Sequence, residues 1–333
     1  MTGKVLILTV VIGTALYAED GGGADAFEDH GEKGEKVHVL PNPDRIGSHH
    51  DASVNAPAHQ GTAVYPASYG SGNLIDHGGL EIPNAGFQAI YWNSSAANSS
   101  STSLGYSSVQ AQIGAFVTAF SDRSNWDNSA TDDFTIVQQY GSHTPIAASL
   151  IRNPANHGND FVDSQSRYSR YKDSQIQAYL ANLFNAGKLT ASSSVIYGVY
   201  FPAGMQICLQ GGCSCTSFCG YHSVFSYGGT QIKYAVFPFP NCTGCSLSGK
   251  SAADMLTIVS SHEIREAVTD PGDFGNNAWY DSAGYEADDK CAWHNLYQMS
   301  NGGFWVQPEY SNGGLRTASG FTATYPGPGC IVP

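Results

Sequence analysis

The sequence predicts an α/β or α+β fold, one mixed-sheet domain with helices packed on it and disulfides stapling it. Short β-branched and aromatic runs alternate with stretches of helical apolar periodicity, which is the pattern of a sheet covered by helices. Eight cysteines form an even set, and Gly, Pro, Asn and Asp punctuate the apolar runs.

Four runs read as strands: residues 86–92 (GFQAIYW), 134–139 (FTIVQQ), 195–201 (VIYGVYF) and 232–237 (IKYAVF). Between them Val109, Ile113, Phe116 and Phe120 recur at helical spacing. So do Ile176, Tyr179, Leu180 and Leu183, behind an N-cap at Asp173 and before Gly187. A third helix opens with a Ser-x-x-Asp cap at Ser251 and stops at Pro271. The resulting order is β-α-β-α-β-β-α, and no internal repeat is visible.

Residues 1–18 (MTGKVLILTVVIGTALYA) carry one cation, a short apolar core and small residues near its end, which is the pattern of a secretory signal peptide. The apolar core falls short of the roughly 18 residues a membrane span needs. Residues 19–68 are rich in Gly, Asp, Glu and His with little apolar periodicity, and read as a flexible leader or propeptide. Residues 69–333 then form the folded domain, in a secreted, extracellular protein.

A net charge of −13 with only 15 Lys plus Arg argues against nucleic acid or an anionic membrane as partner, since both require clustered cations. The cysteines are Cys208, Cys213, Cys215, Cys219, Cys242, Cys245, Cys291 and Cys330. In an oxidising compartment they read as four disulfides of open connectivity, with a thiolate metal site at Cys213/Cys215 and Cys242/Cys245 as the alternative.

The third helix carries the chemistry. Met255, Val259, His262 and Glu266 fall at steps of four, three and four, so an imidazole and a carboxylate extend its inward stripe. This is the spacing of the His-Glu-x-x-His metalloprotease helix, with Glu266 at the second ligand position. Zinc accepts carboxylate oxygen as well as imidazole nitrogen. Glu263 would then stand beside the metal as general base.

The bland reading gives the glutamates to salt bridges, for instance with Arg265. A third ligand is expected from Glu286 or Asp289 downstream, or from His222 in Cys219-Gly-Tyr-His222-Ser. The acids Asp281, Glu286, Asp288 and Asp289 suit calcium as an alternative cofactor. Glu263, Glu266 and Asp270 also offer a metal-free acid/base pair. Trp279, Tyr280, Trp293, Trp305 and Tyr310 would line a groove for peptide or glycan.

Several motifs together resemble the phosphate-induced, or EXORDIUM-like, family of secreted proteins. They are His77-Gly-Gly79, Gln138–Tyr140, Tyr200-Phe-Pro-Ala-Gly204, Cys219-Gly-Tyr-His222-Ser, Tyr234-Ala-Val and Ala267-Val-Thr-Asp-Pro271. The stretch from Ser261 to Pro271 is similar to that family's microbial branch, as are Trp279-Tyr-Asp281 and Val306-Gln-Pro-Glu-Tyr-Ser-Asn312. The family's plant members are cell-wall or apoplast proteins that lack the His-Glu pair and keep a Cys-Gly-x-His element. That implies a fold role for His222 and leaves the His262/Glu263 pair as the mark of an enzyme.

The expected function is a zinc-dependent hydrolase, a peptidase acting on peptide or protein through metal-activated water. The alternatives are a non-catalytic cell-wall or matrix binding protein holding calcium, and a hydrolase of cell-wall glycan.

Overall fold

The computed structural model describes residues 26–32, 35–46, 62–120, 134–142, 145–147, 149–272, 276–318 and 321–333. The expected signal peptide lies outside them. The fold is mixed α/β. One sheet holds β1 (Glu28–His30), β2 (Lys36–Pro41), β3 (Gly86–Tyr91), β4 (Ile151–Arg152), β5 (Phe161–Val162), β6 (Val195–Tyr200), β7 (Phe218–Tyr227) and β8 (Thr230–Phe237). The path across it is β1-β2-β7-β8-β6-β3-β4, with β5 also paired to β3.

The β1/β2, β2/β7 and β7/β8 pairs are antiparallel, whereas β8/β6, β6/β3, β3/β4 and β3/β5 are parallel. The parallel strands β3 and β6 are buried at every position, which is why they read as continuous apolar runs without alternation. Gly198 in β6 is dictated by packing, because a Cβ there would lie 2.3 Å from Cζ of Phe87.

Four helices occur among the described residues: α1 (Ser94–Ala97), α2 (Val109–Phe120), α3 (Asp173–Asn185) and α4 (Ala252–Thr269). Helices α2 and α4 share a core with Phe87, Tyr91, Ile196, Tyr200, Ala235 and Phe237 on one face of the sheet. Helix α3 packs with Ile90, Tyr197, Val199, Tyr234 and Val236 on the other. The C-terminal residues add a third apolar cluster around Trp279, Cys291, Tyr310 and Ile331. Every residue of α4 is consequently buried. No helix among the described residues is long and apolar enough to cross a membrane.

Three expectations are corrected here. Residues 134–139 do not form a strand; Thr135–Tyr140 is a 3-10 helix. Its apolar side chains separate, Val137 joining the core of α4 and Ile136 and Tyr140 the C-terminal cluster, so a run too short to show its period takes the helical one. Asp173 is the first residue of α3 and not its cap; buried, it accepts hydrogen bonds from the hydroxyls of Tyr221 and Tyr234, each at 2.7 Å.

The third correction concerns the leader. Residues 26–32 and 35–46 are not a flexible tail, because β1 and β2 extend the main sheet and Phe27, Val37, Val39 and Leu40 are buried in it. Alternation of apolar residues over six positions was enough once β7 offered an edge. Strand β7 itself had no counterpart in the sequence reading.

All eight cysteines pair: Cys208–Cys213, Cys215–Cys242, Cys219–Cys245 and Cys291–Cys330. This takes the thiolates away from the alternative metal site.

Candidate metal centre

Helix α4 begins with a reciprocal cap, in which the Ser251 hydroxyl accepts from Asp254 N–H (3.1 Å) and Asp254 Oδ2 accepts from Ser251 N–H (2.9 Å). Its inward residues His262, Glu263, Glu266 and Asp270 face β2, β7 and the 286–289 loop. His262 and Glu263 are 0 % exposed.

Glu266 is the hub. Its Oε2 lies 2.9 Å from His262 Nε2, and its Oε1 accepts from the backbone N–H groups of Asp288 (3.0 Å) and Asp289 (2.8 Å). One helix side chain thus anchors the loop that brings Asp289 Oδ1 to 3.6 Å from His262 Nε2. Gln307 fixes the far side of the imidazole: its Nε2 donates to Asp288 O at 2.7 Å and lies 3.0 Å from His262 Nδ1.

From β7, His222 places Nδ1 at 3.1 Å from Glu263 Oε2 and Nε2 at 3.7 Å from Glu286 Oε2. Gly220, two residues earlier on the same face, leaves room for Glu263; a Cβ there would sit 2.4 Å from Val259 Cγ1 and 3.2 Å from Glu263 Oε1. The structure therefore brings together His222, His262, Glu263, Glu266, Glu286 and Asp289.

It also adds two residues to the set. His38 pairs with His222 across β2 and β7, its ring stacked on that of His222 with centroids 5.2 Å apart, and its Nδ1 is 2.5 Å from Glu286 Oε1. Asp270 Oδ1 accepts from Ala278 N–H while its Oδ2 has no partner. Asp270 was visible as a helix-end acid; His38 was hidden in a segment of leader-like composition.

The cluster is rich in buried polar atoms that lack a hydrogen bond. They include His38 Nε2, His222 Nε2, Glu263 Oε1, Asp270 Oδ2 and Glu286 Oε2. Burying such atoms unpaired is costly, and a bound cation is one way to satisfy them.

The proton affinities follow the crowding. Burial pushes Glu286 well above the carboxylate range, reinforced by Asp270, Glu266 and Asp289; it does the same to Asp289, reinforced by Glu266. Asp270 is pushed up to about 7 by burial, and Glu263 is raised by it too. Burial disfavours charge on His262, but Glu266 and Glu263 overcome it and push this group up to about 10. His262 in turn holds Glu266 below its ordinary value against burial. His38 is pushed well down, by burial and then by His222.

Other expectations change. Arg265 does not pair with Glu263 or Glu266; it turns the other way, to Asp288, Glu309 and the Gln307 carbonyl. The proposed calcium cluster divides: Asp281 pairs with buried Lys290 at 2.5 Å and Asp288 with Arg265, so only Glu286 and Asp289 reach the histidines. Three of the five aromatic residues are buried and line no open groove. Trp279 and Trp293 are buried, donating from their indoles to Glu81 (3.0 Å) and to Pro41 O (2.8 Å), and Tyr310 is buried as well.

Comparison with known proteins finds no matching family model, no matching curated protein and no matching solved structure.

Proposed function

We propose that this chain is a secreted metal-dependent hydrolase, most simply a peptidase, centred on α4. One observation carries the reading: His262, Glu266, Asp289, Glu286 and His222, drawn from three separate parts of the chain, converge around buried donor atoms that no hydrogen bond satisfies. Imidazole with carboxylate suits zinc and similar first-row dications. The motif resemblance to the microbial EXORDIUM-like proteins supports secretion, as do the four disulfides.

In this reading His262 and Glu266 hold the cation, with Asp289 completing the set. The cation would supply Lewis acidity and lower the pKa of water. Glu263 serves as general base: Oε2 is engaged by His222, while Oε1 carries no hydrogen bond and is available for a proton. His222 orients that carboxylate. Gln307 holds the His262 ring in place.

The test pairs metal content with turnover. Glu263→Gln keeps the cation and loses hydrolysis of a peptide library by ~100-fold or more, the scale of a lost general base. Retained activity in that variant removes the mechanism.

One observation favours a second reading, a non-catalytic extracellular protein in which the cation only holds the fold. The cluster is closed, and closed ligand sets are typical of structural sites. Metal bound by the wild-type protein without hydrolysis of any peptide or glycan offered would select it.

A further inference from the structure

The donor atoms exceed what one cation can use. Two groups of potential ligands, each with its atoms within 4.8 Å of one another, overlap at a single residue: His262/Glu263/Glu266 and His222/Glu266/Glu286. We propose that the centre holds two divalent cations, the second bound by His222, Glu286 and His38, with Glu266 bridging the pair. This rests on the metal-centre reading above and deepens it.

Three features point to the second position. His222 is held by Glu263 at Nδ1, which leaves Nε2 directed at Glu286; this carboxylate–histidine arrangement is the usual support for a metal-bound imidazole. Glu286 Oε2 and His222 Nε2 are buried without a hydrogen bond, in residues at most 1 % exposed, and Glu286 Oε1 meets only His38 Nδ1, at 2.5 Å. His38 arrives from a separate strand, lies against Glu286 by its Nδ1, and buries an unpartnered Nε2.

Charge supports the count. Glu263, Glu266, Asp270, Glu286 and Asp289 bring five carboxylates among three imidazoles. With all five ionised and the imidazoles neutral, as ligation requires, one dication leaves that enclosure strongly negative, whereas two nearly balance it. The chemistry that such a pair suits is displacement at a carbonyl or phosphoryl centre, with both the attacking and the leaving oxygen stabilised. Strand β2, by composition part of a leader, is in this view part of the centre itself.

The experiment uses the full chain, stripped with chelator, reconstituted with Mn2+ and dialysed. Elemental analysis should return two Mn2+ per wild-type chain, and electron paramagnetic resonance should show exchange coupling between them. His38→Gln and Glu286→Gln should each fall to one ion per chain with an uncoupled six-line signal, circular dichroism confirming the fold. One ion per wild-type chain, or two without coupling, overturns the bridged pair while leaving the single-ion reading intact. No bound ion at all overturns both readings.

Discussion

The Cys291–Cys330 disulfide is the most informative covalent bond to remove, because Asp289 stands two residues from one of its ends. The bond joins positions 39 apart, tying the acidic loop to the Gly329–Val332 strand. Cross-linking a loop of that length restricts the unfolded chain by about 4 kcal/mol at 25 °C. For a protein of this size that is roughly 6 °C in Tm.

The Cys291→Ala/Cys330→Ala double variant should therefore unfold roughly 6 °C lower in calorimetry. The local effect is the sharper one. Without the bond, the 286–289 loop is held only by non-covalent contacts, among them Glu266, the Arg265–Asp288 pair, the Gln307 amide on Asp288 O and the Tyr310 N–H on Ala287 O. Isothermal titration should then show metal affinity falling about 10-fold, the lower end of what lost support around a metal ligand costs. Removing Cys208–Cys213, which joins positions only 5 apart and touches none of the cluster, should cost about 2 kcal/mol and leave metal affinity unchanged. Equal metal affinity in both variants would refute the role given to the Cys291–Cys330 bond.

Two further predictions follow from packing and from protons. Gly220→Ala forces a methyl against Val259 and toward Glu263, so it should destabilise by about 1–3 kcal/mol in chemical denaturation and reduce hydrolysis more than metal binding. In the metal-free protein, His262 at about 10 and Asp270 at about 7, together with raised Glu286 and Asp289, hold more protons folded than unfolded. The stability these groups contribute is thus present at low pH and lost as pH rises through about 7 and then about 10; within the cluster Glu266, held low, and His38, pushed well down, oppose it. The metal-free Tm should fall from pH 5 to pH 9. Zn2+ binding at pH 7 should release at least one proton, read by titration in buffers of different ionisation enthalpy; a Tm that rises with pH would contradict this charge arrangement.

The α4 centre was legible because it is local: the Ser251 cap, the 262/266 spacing and Pro271 lie on one helix, where sequence distance fixes geometry. Strands β3, β6 and β8 were legible for the related reason that buried parallel strands are unbroken apolar runs. Residues 134–139 misled because six residues hold too little periodicity to separate a strand from a 3-10 turn. Strand β7 escaped because Cys219, Gly220, His222 and Ser223 interrupt its apolar character, and the first three serve the disulfide and the cluster.

His38 was beyond reach for a different reason. Its importance comes from register with His222 across two strands far apart in the chain, and no spacing in the sequence encodes that. Glu286 and Asp289 were nameable as acids. Their separation from Asp281 and Asp288 needed the positions of Lys290 and Arg265.

The placement of β2 beside β7 also governs how the protein comes into being. Residue 38 emerges early in synthesis, yet its neighbours in the cluster are residues 222, 263, 266 and 286, so the cluster stays incomplete until nearly the whole chain exists. Contacts of such long sequence separation make for slow folding and a late-forming centre. A nascent or truncated chain would hold scattered imidazoles and carboxylates of ordinary affinity, and the ability to capture a cation would arrive abruptly, with the last loop.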